Sequence, residues 1–167
     1  MRHPAGTSPF RHPVWQKYNR VVCNPTCNLL FLQEFTTHRH LIYEQTIRSA
    51  VECSGVGLHS GAPVHVRILP APVGRGIVFR RVDLEGFEVE AVSRNVAKVS
   101  YATSLMKKGV LISTTEHVLS AFIGMGIDNA IVELDNLELP ILDGSALPYI
   151  EMLSQAGLRQ QRGSAST

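Results

Sequence analysis

Cysteine is scarce in this sequence, with three in 167 residues at Cys23, Cys27 and Cys53. An odd set of this size, two of whose members fall outside the segment that reads as folded, argues against a disulfide framework and fits a reducing cytoplasm. Long apolar runs are missing as well. The longest, such as Leu29 to Leu32, fall far short of the ~18 residues needed to cross a bilayer, which excludes a spanning helix and stable membrane insertion. No large excess of charge is present either, since 16 basic residues face 14 acidic ones. That small excess is uneven: residues 1–48 hold six basic side chains and two acidic, and the remainder ten and twelve. The part with folding potential is therefore mildly acidic and offers no basic face for nucleic acid. With 44% hydrophobic and 18% charged residues, the chain has the composition and length of one ordinary domain with appendages.

Residues 1–44 lack a sustained period of two or 3.6, and they hold four of the nine prolines and four of the seven histidines. We expect a poorly packed extension there. The absence of acids before Glu34 suits a transit peptide, but Pro4, Pro9 and Pro13 oppose the amphipathic helix such a peptide needs. A secretory signal is disfavoured because the apolar run is short and late. Cys23-x₃-Cys27 followed by His38-x-His40 approaches a zinc knuckle only loosely, since the closing pair is one residue apart where three to five are usual.

From Gln45 onward the pattern changes. Ile47, Ser49, Val51 and Cys53 alternate with Thr46, Arg48, Ala50 and Glu52, and Val64, Val66 and Ile68 alternate with His65 and Arg67. The glycines of Ser54 to Gly61 suit the turn of a hairpin between these strands. Further strands are expected at Gly76 to Arg81, Phe87 to Ala91, Thr103 to Leu105 with Val110 to Ile112 around a Lys107-Lys108-Gly109 turn, and Asn129 to Asp135. Ser113 with Glu116 reads as a capping box opening a helix that Gly124 and Gly126 end, and Ser145 as the cap of a last helix that stops at Gly157. Residues 159–167 read as a disordered tail. The order of elements predicts an α+β two-layer sandwich over residues 45–158, a largely antiparallel sheet with two helices on one face. Its expected core is Val51, Val66, Ile68, Phe79, Ile112, Val118, Leu119, Phe122, Val132, Leu134, Ile150 and Leu153.

Glu116 beside His117 is the constellation richest in chemistry, because a carboxylate that takes a proton from water next to an imidazole that binds zinc are two parts of metal-assisted hydrolysis. Periodicity alone favours plainer roles, a capping carboxylate and a solvated helical histidine, and neither H-E-x-x-H nor H-x-x-E-H is present. His59 sits in a glycine-rich turn that leads into a strand, so a phosphate-binding fingerprint is rejected. Asp143-Gly144-Ser145 is explained by a tight turn and a cap, and a nucleophilic Ser145 lacks a neighbouring base.

Gln45-Thr-Ile47, Gly55-Val-Gly-Leu-His-Ser-Gly61, Gly76-Ile-Val-Phe-Arg-Arg-Val-Asp83, Ile112-Ser-Thr-Thr-Glu-His-Val-Leu119, Gly126-Ile-Asp-Asn129 and Leu139-Pro-Ile-Leu-Asp-Gly-Ser-Ala146 together resemble the opening half of the UDP-3-O-acyl-N-acetylglucosamine deacetylase family, in order and spacing. The resemblance implies a cytoplasmic zinc-dependent amidase of lipid A biosynthesis with two similar α+β domains, of which this chain looks like the first. It implies that Glu116 is the general base, that His117 is the first ligand of a Zn2+ ion, and that Thr103, Ser104 and Leu105 lie along a substrate-facing edge strand. The partner it implies is the UDP-linked acylated glucosamine. The other two zinc ligands, a histidine and an aspartate four residues apart, and a protonating histidine belong to the family's second domain. His40 and Glu44 have that separation but precede the first domain. A catalytically silent α+β binding module that keeps the scaffold is the other reading.

Overall fold

The computed structural model describes residues 43–98 and 101–162. The expectations for residues 1–42, Cys23, Cys27, His38 and His40 among them, and for residues 163–167 lie outside the described residues. Among the described residues ten strands run in the order β1 Tyr43–Ile47, β2 Val51–Val56, β3 Pro63–Pro70, β4 Ile77–Arg81, β5 Phe87–Glu90, β6 Val96–Lys98, β7 Ser104–Lys107, β8 Val110–Ile112, β9 Ala130–Leu134 and β10 Leu158–Arg162. Helix α1, Glu116–Met125, lies between β8 and β9, and helix α2, Leu147–Ala156, between β9 and β10.

Alternation in the central strands builds the main sheet. Its strand order is β2-β3-β9-β4-β5, antiparallel except for the β4–β9 pair. Register sets Val66 opposite Leu134, Ile68 opposite Val132, and Phe79 beside both Val132 and Val89, so one face is continuous apolar surface. All six of these side chains are fully buried. The helices close that face with residues at helical spacing: Val118, Ala121 and Phe122 from α1, and Tyr149, Leu153 and Ala156 from α2. The result is the expected α+β arrangement. Of the expected core, Val51, Leu119 and Ile150 are half-buried against it and the rest are buried. The opposite face carries charge, with Arg80 bonded to Glu88 and Glu133, and Arg75 to Glu88.

The second hairpin has a two-residue loop. Lys108 and Gly109 have φ of 49° and 83°, the pair of left-handed residues a type I′ turn requires, and this turn matches the twist of β7 and β8.

Several expectations are corrected. Ile47 to Cys53 is not one strand, because Arg48 N–H donates to the Gly157 carbonyl and the Ser49 hydroxyl to that of Ala156, which bends the chain between β1 and β2. Thr46, placed by alternation on a polar face, is fully buried and accepts the Ala71 N–H through Oγ1 at 3.1 Å. The segment from Arg159 to Arg162 is strand rather than tail, paired with β1 from Leu158 opposite Ile47 to Arg162 opposite Tyr43. Its polarity concealed it: the buried member is Gln161, whose amide donates to the Ala71 carbonyl and accepts from Asn129. Tyr43 and Glu44 likewise belong to β1 rather than to an extension. Gly124 lies inside α1, and Gly126, at φ 69°, ends it.

Candidate active site

Thr103 organises the start of α1. Its carbonyl accepts both the N–H and the hydroxyl of Thr115, at 3.2 and 3.0 Å, and its own N–H donates to Glu116 Oε2 at 3.0 Å. The expected capping box is therefore absent. Ser113 N–H instead donates to the Leu137 carbonyl, and Glu116 reaches across to Thr103, the residue before β7, rather than back along its own helix. A carboxylate in the first helical turn is stabilised there by the amide dipoles as well.

Glu116 and His117, both half-buried, line one shallow depression of about 190 Å³ with Ser120, Ser145 and Ala146. Ser145 is held by Asp143, whose Oδ1 accepts both its N–H and its hydroxyl at 2.8 Å, while Ser145 Oγ accepts the Leu147 N–H that opens α2. That is the capping role expected of it, displaced by one residue from the cap position.

The strand expected to face substrate divides. Thr103 is joined to Glu116, whereas Ser104 is buried with its hydroxyl 3.2 Å from that of Ser113, and Leu105 is core. Ser104 and Ser113 border a second, larger concavity of about 400 Å³ together with His59, Tyr101, Leu137 and Glu138.

Glu138 and Thr114 were not singled out by sequence reasoning. Glu138 is 1% exposed, and its carboxylate accepts the N–H groups of His59 and Ser60 at 2.9 and 2.8 Å and the Thr114 hydroxyl at 3.0 Å. Burial opposes its ionisation, but the donors from His59, Ser60 and Thr114 outweigh that cost and hold the carboxyl below its usual value. Thr114 has φ 60°, a conformation that costs a β-branched residue on the order of 1–3 kcal/mol. The available signal was a lone acid inside the run Leu137-Glu-Leu-Pro140, where a charge must find partners on burial.

Among the described residues no three His, Cys, Asp or Glu side chains gather as a metal cluster. His65 pairs with the Ser54 hydroxyl on the charged sheet face, and Glu44 is occupied by the Gly74 N–H and the Asn129 amide. The chemistry of His117 suits a divalent ion such as zinc, but it is one nitrogen where a catalytic site uses three protein ligands.

An α+β layer presenting a carboxylate and an imidazole side by side at a helix start is the class that fold and site define. The chain belongs to the UDP-3-O-acyl N-acetylglycosamine deacetylase family (LpxC), whose profile matches residues 44–167. Over 120 residues it is 65% identical to the UDP-3-O-acyl-N-acetylglucosamine deacetylase of Solibacter usitatus (strain Ellin6076), covering 72% of this chain and 41% of that protein. It is 46% identical over 122 residues to the protein of the same name from Marinobacter nauticus (strain ATCC 700491 / DSM 11845 / VT8), covering 72% of this chain and 40% of that one. The chain thus spans about two fifths of the length of the curated relatives it matches.

Proposed function

We propose that this chain carries one side of the active site of a zinc-dependent deacetylase that hydrolyses the N-acetyl group of UDP-3-O-acyl-N-acetylglucosamine, in lipid A biosynthesis in the cytoplasm. The observation that carries the proposal is the shared depression of Glu116 and His117, with one carboxylate oxygen of Glu116 fixed by the Thr103 N–H. His117 provides one ligand of the metal, and the other ligands come from beyond the described residues. Zinc held there supplies a Lewis acid that polarises the amide carbonyl and acidifies the attacking water.

Glu116 is the general base in this reading. With Oε2 engaged by Thr103, Oε1 receives the proton that water loses as its oxygen bonds to the acetyl carbon. The carbon–nitrogen bond then breaks as the sugar nitrogen takes up the proton that Glu116 accepted, releasing the amine and acetic acid, which ionises to acetate. Thr103 and Ser104 border the substrate, and Leu105 anchors their strand in the core beneath them.

The test is a chimaera in which residues 1–162 precede the part of the Solibacter usitatus relative that this chain does not cover. We expect acetate release from the UDP-sugar, a loss of about 10²–10⁴-fold with Glu116→Gln at unchanged zinc content, and loss of zinc with His117→Ala. Full activity in Glu116→Gln would overturn the assignment.

A further inference from the structure

Thr114 stands between β8 and α1, so its backbone torsion sets the direction in which the helix leaves the strand. Its φ of 60° lies where β-branched residues are rarely found, and such a torsion persists only where the surroundings over-determine it. The surroundings here are specific. Ser113 N–H donates to the Leu137 carbonyl at 2.8 Å and Leu139 N–H to the Ser113 carbonyl at 3.1 Å, which lays residues 137–139 alongside the turn. Between those two bonds, the buried Glu138 carboxylate takes the Thr114 hydroxyl at 3.0 Å. The oxygen that takes that hydroxyl, Oε1, also accepts the His59 N–H, and Oε2 accepts the Ser60 N–H. Gly57 leaves the space that this carboxylate fills, since a methyl group there would come within 2.5 Å of Oε2.

We propose that Glu138 is a positioning residue: through the Thr114 hydroxyl it holds the left-handed turn that aims Glu116 and His117 into their common depression. Its catalytic consequence rests on the roles proposed above for that pair, whereas the geometric claim stands apart from them. A buried carboxylate that only stabilised the fold would leave the start of α1 unchanged when replaced, and the two cases separate experimentally.

The experiment uses amide spectra of the ¹⁵N-labelled 167-residue chain, with Thr103 and His117 as reporters, since Thr103 N–H bonds to Glu116. Glu138→Gln and Thr114→Val are expected to move both signals, and Thr114→Ser, which keeps the hydroxyl, to leave them in place. Glycine adopts a positive φ without strain, so in a Thr114→Gly background Glu138→Gln should move neither signal further, a non-additive pair. In the chimaera, Glu138→Gln should lower kcat on the order of 100-fold with little change in KM. A Glu138→Gln protein that melts earlier with both signals unmoved overturns the proposal, as do equal displacements in the two backgrounds. If Glu138→Gln does not fold, the contrast of Thr114→Val with Thr114→Ser decides. A chimaera inactive before any substitution overturns the deacetylase reading, while the spectral comparison still decides the positioning role.

Discussion

Glu116 and Thr103 meet through a 3.0 Å hydrogen bond across thirteen positions of sequence, from the Thr103 N–H to Oε2. The bond orients the carboxylate, and it ties the end of α1 that carries the acid to the residue that leads into β7.

Stability should separate two substitutions at this site. Glu116→Gln keeps an oxygen for the Thr103 N–H, so urea unfolding is expected within about 0.5 kcal/mol of the parent. Glu116→Ala removes the acceptor and the favourable helix-end charge, at a cost of about 1 kcal/mol. A larger loss with glutamine than with alanine would contradict the bond as the organising contact.

Zinc added to the 167-residue chain by itself should leave its melting temperature unchanged, because a ligand stabilises only in proportion to its affinity and one imidazole holds the ion weakly. Stoichiometric binding seen by calorimetry would send the search for ligands to His38, His40, His59 and His65.

Asn129 ties three segments together: Oδ1 accepts the Gly76 N–H at 2.7 Å, and Nδ2 donates to Glu44 Oε2 and Gln161 Oε1 at 2.6 and 2.9 Å. Asn129→Ala strands partners that are partly or wholly out of water, and we expect a loss of about 2–3 kcal/mol. Chemical denaturation measures it, and an effect near zero would mean that the network is replaceable.

Acid should weaken the contact between β5 and β7. The Lys107 ammonium lies 2.8 Å from both oxygens of Glu90 and is the main reason that its carboxyl falls from the ordinary 4.5 to about 2. A carboxyl depressed in the folded state contributes stability above its ordinary value and loses it as pH falls toward its folded value. After solvent screening the contribution is about 1 kcal/mol or less. The stability difference between the parent and Glu90→Gln is therefore expected at pH 7 and should shrink between pH 4.5 and 2. A difference that grew on acidification would refute the pairing.

Hydrophobic period made the central sheet and both helices readable, because Val64 to Ile68, Ala130 to Leu134 and the stripes through Phe122 and Leu153 are buried by area alone. Where polar groups carry the burial, the pattern misleads: Thr46 and Gln161 look like surface residues and lie inside because each has a partner distant in sequence. At the site, the adjacency of Glu116 and His117 was visible, but what orients them was not. A Ser113–Glu116 spacing satisfies the capping rule locally, while the Thr103 N–H wins Glu116 through tertiary geometry no local window contains. Glu138 escaped for the same reason, since its donors come from positions 59, 60 and 114.

The pairing of Tyr43 with Arg162 sets the first and last described residues side by side, about 5 Å apart at Cα. The ends of this unit can be spliced with a short peptide at little cost in closure entropy, and new ends can be opened at the exposed Lys108-Gly109 tip without removing a buried contact. The unit is thus topologically close to a ring. Among the described residues, the start of β1 and the end of β10 lie at one end of a single ladder.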